Sequence, residues 1–156
     1  MDTKTTYRQA DTLVDAMAVM RMAKDFHDES DLRDIPFDDS VFWGYLVNTL
    51  NDKDSFLCLA ERNNELIGFI SGSIYQLYFS KVMAANSDIW YVAPEYRGGL
   101  TGTRLLKRFE NWAEFNGARF LVSGSSSGIT VDRVHKLIER FGYEPIGSEY
   151  RRDLHG

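Results

Sequence analysis

The feature that most constrains this chain is an apolar strand that runs into a glycine-rich turn and then into an amphipathic helix. The turn contains Gly98, Gly99 and Gly102, and the helix after it carries its apolar residues on one face. Those residues are Leu105, Leu106, Phe109, Trp112 and Ala113. Glycines let a backbone approach a ligand closely, and the free amides at a helix N-terminus favour an anion. The segment therefore predicts an α/β arrangement with a turn suited to phosphate.

Two other phosphate-binding turns fit this segment poorly. A P-loop ends in Gly-Lys-Ser or Gly-Lys-Thr, whereas the sequence here reads Gly102-Thr103-Arg104. A dinucleotide-binding Rossmann turn belongs to the first βα unit of its domain, whereas this turn follows four predicted strands and two predicted helices. Taken alone, the glycines also fit a helix with a flexible start and no ligand.

Composition narrows the class of protein further. The length of 156 residues predicts a single domain over 1–156, which is enough chain to bury a core without disulfide or metal support. A formal net charge of −5 disfavours nucleic acid as a partner, because its backbone requires a basic surface. Three separated histidines and one cysteine, Cys58, predict no metal site and no internal disulfide. Since no apolar stretch is long enough for a signal or a membrane span, we expect a cytoplasmic protein without membrane partners.

Apolar periodicity predicts the element order β-α-α-β-β-β-α-β-α-β. The first strand is expected at 5–10, and the first helix from an Asp11 cap to about His27. The apolar face of that helix is expected to consist of Leu13, Val14, Met17, Met20 and Phe26. Asp38 or Asp39 is predicted to cap the second helix, and the stretch 143–154 to form one or two final strands.

The strand and turn resemble motif A of the GNAT acetyltransferase family, in which Arg/Gln-x-x-Gly-x-Gly/Ala follows an apolar strand and often Val-x-Pro-x-x-Arg. The residues that carry the resemblance are Tyr91-Val92-Ala93-Pro94-Glu95-Tyr96-Arg97-Gly98-Gly99-Leu100-Thr101-Gly102. The stretch 136–144 resembles motif B, a helix that ends in Gly-Phe or Gly-Tyr. The match is specific over 88–147, and its Arg-Gly-Gly-x-Thr-Gly variant is similar to bacteriophage-encoded members, for which the location would be the host cytoplasm.

The resemblance implies a mixed α+β GNAT fold. The central sheet would be mostly antiparallel, with six to seven strands split between strands 4 and 5 and about four flanking helices. The activity implied is transfer of an acetyl group from acetyl-CoA, as cosubstrate and without a metal, to a primary amine of a small molecule or a protein. The resemblance is also compatible with a homodimer.

The resemblance also implies how acetyl-CoA is held. Backbone groups of Trp90, Tyr91 and Val92 would pair with the pantetheine arm and polarise the thioester, and the turn amides would hold the pyrophosphate. Arg97 would add charge or brace the turn. The expected cofactor-binding residues are Trp90, Tyr91, Val92, Arg97, Gly98, Gly99, Leu100, Thr101, Gly102 and Thr103.

A general base is required because an alkyl amine is mostly protonated at neutral pH. The first candidate is Asp88, near the start of the strand before the turn, and a solvated strand-end acid is its plain alternative. The second candidate is Glu29, at the end of the first helix, which would otherwise grip a cationic substrate. Both carboxylates are therefore predicted catalytic residues.

Two positions depart from the family pattern. Leu100 stands where the first family glycine is expected, so Gly98 and Gly99 would have to supply the freedom of the turn. Ile138 stands where a tyrosine often protonates the leaving thiolate, and Tyr91 and Tyr143 are the candidate replacements. This missing acid keeps a second function open, that of a CoA-binding module with little or no catalysis that acts through a partner protein.

Acidic residues crowd the region from the first helix to the start of the second. They are Asp25, Asp28, Glu29, Asp31, Asp34, Asp38 and Asp39. They fit either solvated loop and capping acids or a negative field that attracts a cationic amine. Trp43, Tyr75 and Tyr78 are candidate aromatic walls for that amine, with packing as the alternative.

Overall fold

Five strands and four α-helices make up the described part of the chain, residues 4–125 and 127–156, in this computed structural model. The strands are β1 (Thr6–Gln9), β2 (Ser55–Arg62), β3 (Glu65–Gln76), β4 (Met83–Val92) and β5 (Ala118–Val122). The helices are α1 (Leu13–Glu29), α2 (Asp39–Asn51), α3 (Thr101–Phe115) and α4 (Val131–Arg140), with a short 3-10 turn at Pro94–Tyr96. The predicted mixed α+β class and the element order as far as α4 are confirmed.

The expected count of six to seven strands is wrong for these described residues. The stretch 143–156 forms no strand, and its side chains from Glu144 onward are exposed. Pro145 has no backbone N–H to donate to a ladder, and Gly147 weakens a strand further. The apolar residues of this stretch therefore do not indicate a strand that pairs with β5.

The sheet has the order β1-β2-β3-β4-β5, and it is antiparallel except for the last pair. β5 runs parallel to β4, which requires a crossover connection, and α3 provides it. The β4–β5 pairing extends only from Met83 to Asn86 on β4, so the two strands part before the end of β4. The predicted split between strands 4 and 5 is therefore present. At the point of parting, Ser87 Oγ and Ser123 Oγ lie 2.8 Å apart.

Both faces of the sheet are covered by helices. On one face α3 packs Leu105 and Phe109 against Phe56 and Ile70, and on the other α1 and α2 cover side chains such as Phe69. Because successive strand residues point to opposite faces, a central strand with two covered faces is apolar throughout. This explains the continuous apolar runs of β2 and β3.

The predicted buried face of α1 is largely wrong. Leu13, Val14 and Met17 are 58%, 74% and 50% exposed, whereas the small residues Ala16, Val19 and Ala23 are buried against the sheet. Small side chains let a helix lie close to a sheet. The face of α1 that carries Ala16, Val19 and Ala23 is therefore buried, rather than the face that carries the larger apolar residues. The cap is Thr12 rather than Asp11, in a capping box with Asp15.

Asp15 also anchors α1 to β1. Its carboxylate accepts hydrogen bonds from Arg8 at 3.0 and 2.7 Å, and this pairing holds the pKa of Asp15 well below its usual range. The buried acid is thereby satisfied, as burial of a charge requires.

Candidate active site

A cavity of about 880 Å³ opens where β4 parts from β5. Its walls are residues 88–92 of β4, the glycine turn, the loop after β5 and one side of α4. All of the expected cofactor-binding residues line it except Thr101, which is buried in the first turn of α3. The cavity therefore joins the two motifs singled out in the sequence.

The shape of the turn accounts for Leu100. Gly98 has a φ of +93°, the left-handed region that favours glycine, whereas Leu100 has a φ of −98°, which any residue adopts. A Cβ built on Gly99 would meet no atom within 4 Å, so the backbone there is open. Gly98 thus supplies the freedom that the family pattern places at position 100, and α3 begins at Thr101 with its N-terminus at the cavity.

The turn is tied to β4 by a network around Arg97. The guanidinium pairs with Glu29 at 2.6 and 2.9 Å and donates from Nε to the Val92 carbonyl at 2.8 Å. The Tyr91 hydroxyl donates to the same carboxylate at 2.9 Å. Arg97 lowers the pKa of Glu29, and burial raises the pKa of Tyr91, so the carboxylate stays charged and the phenol stays a donor. The bracing role offered for Arg97 matches this geometry.

Trp90 makes a second tie between strand and helix. Its indole Nε1 donates to the Gly102 carbonyl at 3.0 Å. A Cβ built on Gly102 would lie 3.7 Å from that ring and from Val92, which is ordinary contact. A larger side chain at position 102 would therefore press on Trp90 and the mouth of the cavity.

Asp88 lies in a β-bulge at the other end of the cavity. Ser71 pairs with Ile89 and Gly72 with Ser87, so Asp88 is the extra residue of β4. It is exposed and lines the cavity, and its Oδ2 accepts a hydrogen bond from the Tyr45 hydroxyl at 3.0 Å. That hydroxyl also lies 2.8 Å from Ser71 Oγ, and burial raises the pKa of Tyr45. The bulge therefore turns an acid into the cavity, and the half-buried Tyr45 donates a hydrogen bond to it.

The family model of the acetyltransferase (GNAT) family matches residues 16–143. The chain belongs to the GNAT acetyltransferase family. No curated protein matches the sequence closely enough to count as a relative.

Solved structures agree with this GNAT chain in fold. The ribosomal-protein-alanine N-acetyltransferase from Brucella melitensis biovar Abortus 2308 is 18% identical, with a TM-score of 0.72 over 97% of this chain and 99% of that chain. AAC(6')-Iy in complex with the bisubstrate analogue CoA-S-monomethyl-acetylneamine is 17% identical, with a TM-score of 0.74 over the same shares. A predicted acetyltransferase with acetyl-CoA from Clostridium acetobutylicum is 19% identical, with a TM-score of 0.73 over 97% of each chain.

Both tyrosines that could replace the missing acid donate their hydroxyls to glutamates, and Ile138 itself lies outside the cavity lining. Ile138 is 9% exposed and does not line the cavity. The Tyr143 hydroxyl donates to Glu110 at 2.9 Å, and burial raises its pKa. Tyr91 lines the cavity, but its hydroxyl is directed to Glu29. Of the two candidate bases, Asp88 lines the cavity and Glu29 does not.

Several acids of the stretch from the first helix to the start of the second have structural partners. Asp38 caps α2 and Asp39 pairs with Lys24 at 2.9 Å. The loop that carries Asp31 meets the loop after β5, where the Asp31 N–H donates to the Ser127 carbonyl at 2.8 Å. A Cβ on Gly128 would collide with the Asp31 carboxylate, so glycine is required at that contact. The serine-rich segment beside it includes Ser126, which lies outside the described residues.

The candidate aromatic walls lie elsewhere. Tyr78 is 98% exposed, and neither it, Tyr75 nor Trp43 lines the cavity. Trp43 packs beside the α1–α2 cluster. The apolar side chains of Phe26 and Ile129 line the cavity instead, and the sequence had assigned neither of them to the site.

Sequence reasoning also missed three cations on α4. Arg133, Lys136 and Arg140 all line the cavity. The available signal was their spacing of three and four residues, which places side chains on one helix face.

The described residues contain neither a candidate membrane span nor a candidate metal-binding cluster. No helix among them is long and apolar enough to cross a membrane. No group of three or more His, Cys, Asp or Glu side chains among them is placed to hold a metal ion.

Proposed function

We propose that this chain is an N-acetyltransferase that transfers an acetyl group from acetyl-CoA to a primary amine. The observation that carries the proposal is the cavity at the β4–β5 split, with open amides at one end and a carboxylate at the other. The family supports acyl transfer in general. The donor, the acceptor and the roles of the residues are the parts proposed here.

The turn end of the cavity fits the diphosphate of CoA. The left-handed Gly98 and the open Gly99 leave the backbone uncovered, and the α3 N-terminus adds the positive end of a helix dipole. Residues from Gly98 to Thr103 would bind the diphosphate through their amides. Support for this donor comes from two similar structures, one described with acetyl-CoA and one with a CoA bisubstrate analogue.

Beyond Asn86 no strand of the described residues lies along one edge of β4, so backbone groups at that edge lack a strand partner and can serve a ligand. Backbone groups of Trp90, Tyr91 and Val92 would hold the pantetheine arm and polarise the thioester carbonyl, apart from the Val92 carbonyl, which already accepts a hydrogen bond from Arg97 Nε. Fixed backbone donors at a developing oxyanion are among the strongest contributions to catalysis.

Asp88 is the proposed general base. As the amine nitrogen bonds to the acyl carbon, its proton passes to Asp88, directly or through water, and the carbon–sulfur bond breaks. Glu29 is proposed as a brace for the turn, because its carboxylate is already shared by Arg97 and Tyr91. The leaving thiolate would take its proton from solvent, since no tyrosine occupies position 138.

The acceptor is proposed to be a cationic amine of a small molecule or a protein. Asp25, Asp31 and Asp34 form no ion pair within the described residues. The Asp31 N–H donates to the carbonyl of Ser127, which lines the cavity, so part of this negative charge lies next to the lining. The similar structures include one named for a protein alanine and one for an aminoglycoside, so both acceptor types belong in the test.

The second candidate is a CoA-binding module that acts through a partner protein with little or no catalysis. The observation that favours it is Ile138, buried at the position where the family often has its acid. The two candidates share cofactor binding and differ only in turnover.

Two measurements test these proposals. Acetyl-CoA at a hundred times its Kd should add about 2.7 kcal/mol to the free energy of unfolding, which raises the melting temperature by about 5 °C or more. Free-thiol release should then be followed with polyamines, aminoglycosides and peptide N-termini. Thiol release with an amine supports the transferase, and binding without release supports the module. No melting shift at millimolar acetyl-CoA would overturn both.

A further inference from the structure

The positive charge that is free inside the cavity lies on α4. Arg133, Lys136 and Arg140 line the cavity, and none of them forms an ion pair within the described residues. Arg97 also lines it, but Glu29 already neutralises that guanidinium. The acids of the lining are Asp88, at the far end, and Asp132, in the first turn of α4. In a chain of net charge −5, this is a local concentration of cations.

One of the three cations lies at the glycine turn, and the other two follow it along α4. A Cβ built on Gly98 would lie 3.5 Å from Arg133 Nη2, so this guanidinium lies against the turn itself. Lys136 and Arg140 follow about 4.5 Å and about 10.5 Å further along the helix axis, at 1.5 Å per residue. The positive charge of the lining therefore continues along α4 past the residue that lies against the turn.

We infer that Lys136 and Arg140 form a second phosphate subsite that binds the 3′-phosphate of CoA and selects CoA over its dephospho form. The inference rests on the proposed function for its choice of ligand, because CoA carries both a diphosphate and a phosphate monoester. A monoester carries about −1.5 to −2 charges at pH 7 and three acceptor oxygens. Neutral amides serve the diphosphate at the turn, whereas the more highly charged monoester is matched by an ammonium and a guanidinium.

The test is calorimetric titration of the full chain with CoA and with dephospho-CoA. The test variant is Lys136→Gln with Arg140→Gln. The matched control is Arg119→Gln with Arg152→Gln, which removes the same charge from exposed positions outside the cavity. Thermal melts without ligand establish that each variant folds.

The wild type should bind CoA at least about tenfold more tightly than dephospho-CoA, the value of one charge-assisted contact. The test variant should lose that preference while its affinity for dephospho-CoA stays within about twofold. The control should keep the wild-type ratio. Arg133→Gln should lower the affinity for both ligands by a similar factor, because Arg133 lies at the turn that would bind the diphosphate common to both.

Two results would overturn the subsite. One is equal binding of CoA and dephospho-CoA by the wild type. The other is an unchanged preference in the Lys136/Arg140 variant. Failure of the wild type to bind either ligand would overturn the proposed function as well, and is thereby distinguishable from the first two results.

Discussion

Glu29 and Asp88 both accept a hydrogen bond from a tyrosine, yet their surroundings are opposite. Glu29 lies behind the turn, where Arg97 neutralises it. Asp88 lies in a bulge at the cavity, where Tyr45 holds it and no cation of the described residues pairs with it. A tyrosine contact alone therefore does not mark a base. An acid paired with arginine fixes structure, whereas an acid whose charge faces a cavity is available to take a proton.

The largest effect expected from this contrast is on turnover. Asp88→Asn should lower kcat by about a hundredfold or more, the usual contribution of a general base, with a small change in acetyl-CoA affinity. Steady-state thiol release measures it. Asp54→Asn, an exposed acid between α2 and β2 that does not line the cavity, is the control and should retain turnover. A hundredfold loss in Glu29→Gln with full activity in Asp88→Asn would reverse the assignment.

Glu29→Gln should act mainly on stability. The change leaves the Arg97 guanidinium, which is mostly buried, without its counter-charge, and we expect a loss of about 2 kcal/mol in the free energy of unfolding. Urea unfolding measures it. Asp39→Asn breaks the exposed pair with Lys24 and should cost well under 1 kcal/mol. Equal losses in the two variants would remove the distinction between a bracing pair and a surface pair.

Tyr45→Phe tests whether the hydrogen bond positions Asp88. Removing the hydroxyl leaves the carboxylate free to rotate, and kcat should fall by about tenfold, less than in Asp88→Asn. The KM for acetyl-CoA should change little, because Tyr45 does not line the cavity. Tyr75→Phe, outside the cavity, serves as the control. A tenfold rise in KM at constant kcat would show that Tyr45 acts on binding instead.

Adjacent glycines offer a smaller contrast. Gly98→Ala places a side chain in the left-handed region and should cost about 1–2 kcal/mol of stability. A Cβ at position 99 meets no neighbouring atom, and Gly99 has no positive φ. Gly99→Ala should therefore lower the free energy of unfolding by a few tenths of a kcal/mol at most. Thermal unfolding of the two variants measures the difference. Equal melting temperatures would mean that the turn is not held in the described shape.

The smallest expected effect is on the pH dependence of stability. Arg97 lowers the pKa of Glu29 and Arg8 lowers that of Asp15, below unfolded values of about 4.3 and 3.9. A carboxylate with a lowered folded pKa contributes stability above its unfolded pKa and loses it as pH falls. The free energy of unfolding should therefore decline from about pH 5 to pH 3, and less steeply in Glu29→Gln. Urea midpoints across that range test this, and identical slopes would contradict it.

The parts of the fold that the sequence predicts correctly are governed by local rules. Gly98 marks a positive φ, and the spacing of Leu105 and Phe109 defines the buried face of α3. The face of α1 was misjudged because Ala16 and Ala23 carry little apolar signal, although their size lets the helix approach the sheet. The local sequence pattern therefore predicts which residues are hydrophobic better than it predicts which side chains are small enough to pack against the sheet.

The parts of the site that it misses depend on distant pairs. Glu29 meets Arg97 across 68 positions, and Tyr45 meets Asp88 across 43. No local pattern connects such residues, since the sheet register decides whether they touch. The α4 cations were visible in the sequence, but only the fold shows that their face borders the cavity.

The parting of β4 from β5 also has a consequence for cooperativity. Beyond Asn86 the sheet has an internal edge, whose backbone groups have no strand partner among the described residues. A ligand that pairs with this edge takes the place of a missing strand, so its binding energy adds directly to the energy that holds the sheet together. The amides of 87–92 that face the cleft should then exchange with solvent water quickly in the free protein and slowly in the complex. The bound donor would thus do for this part of β4 what a neighbouring strand does for the rest of it.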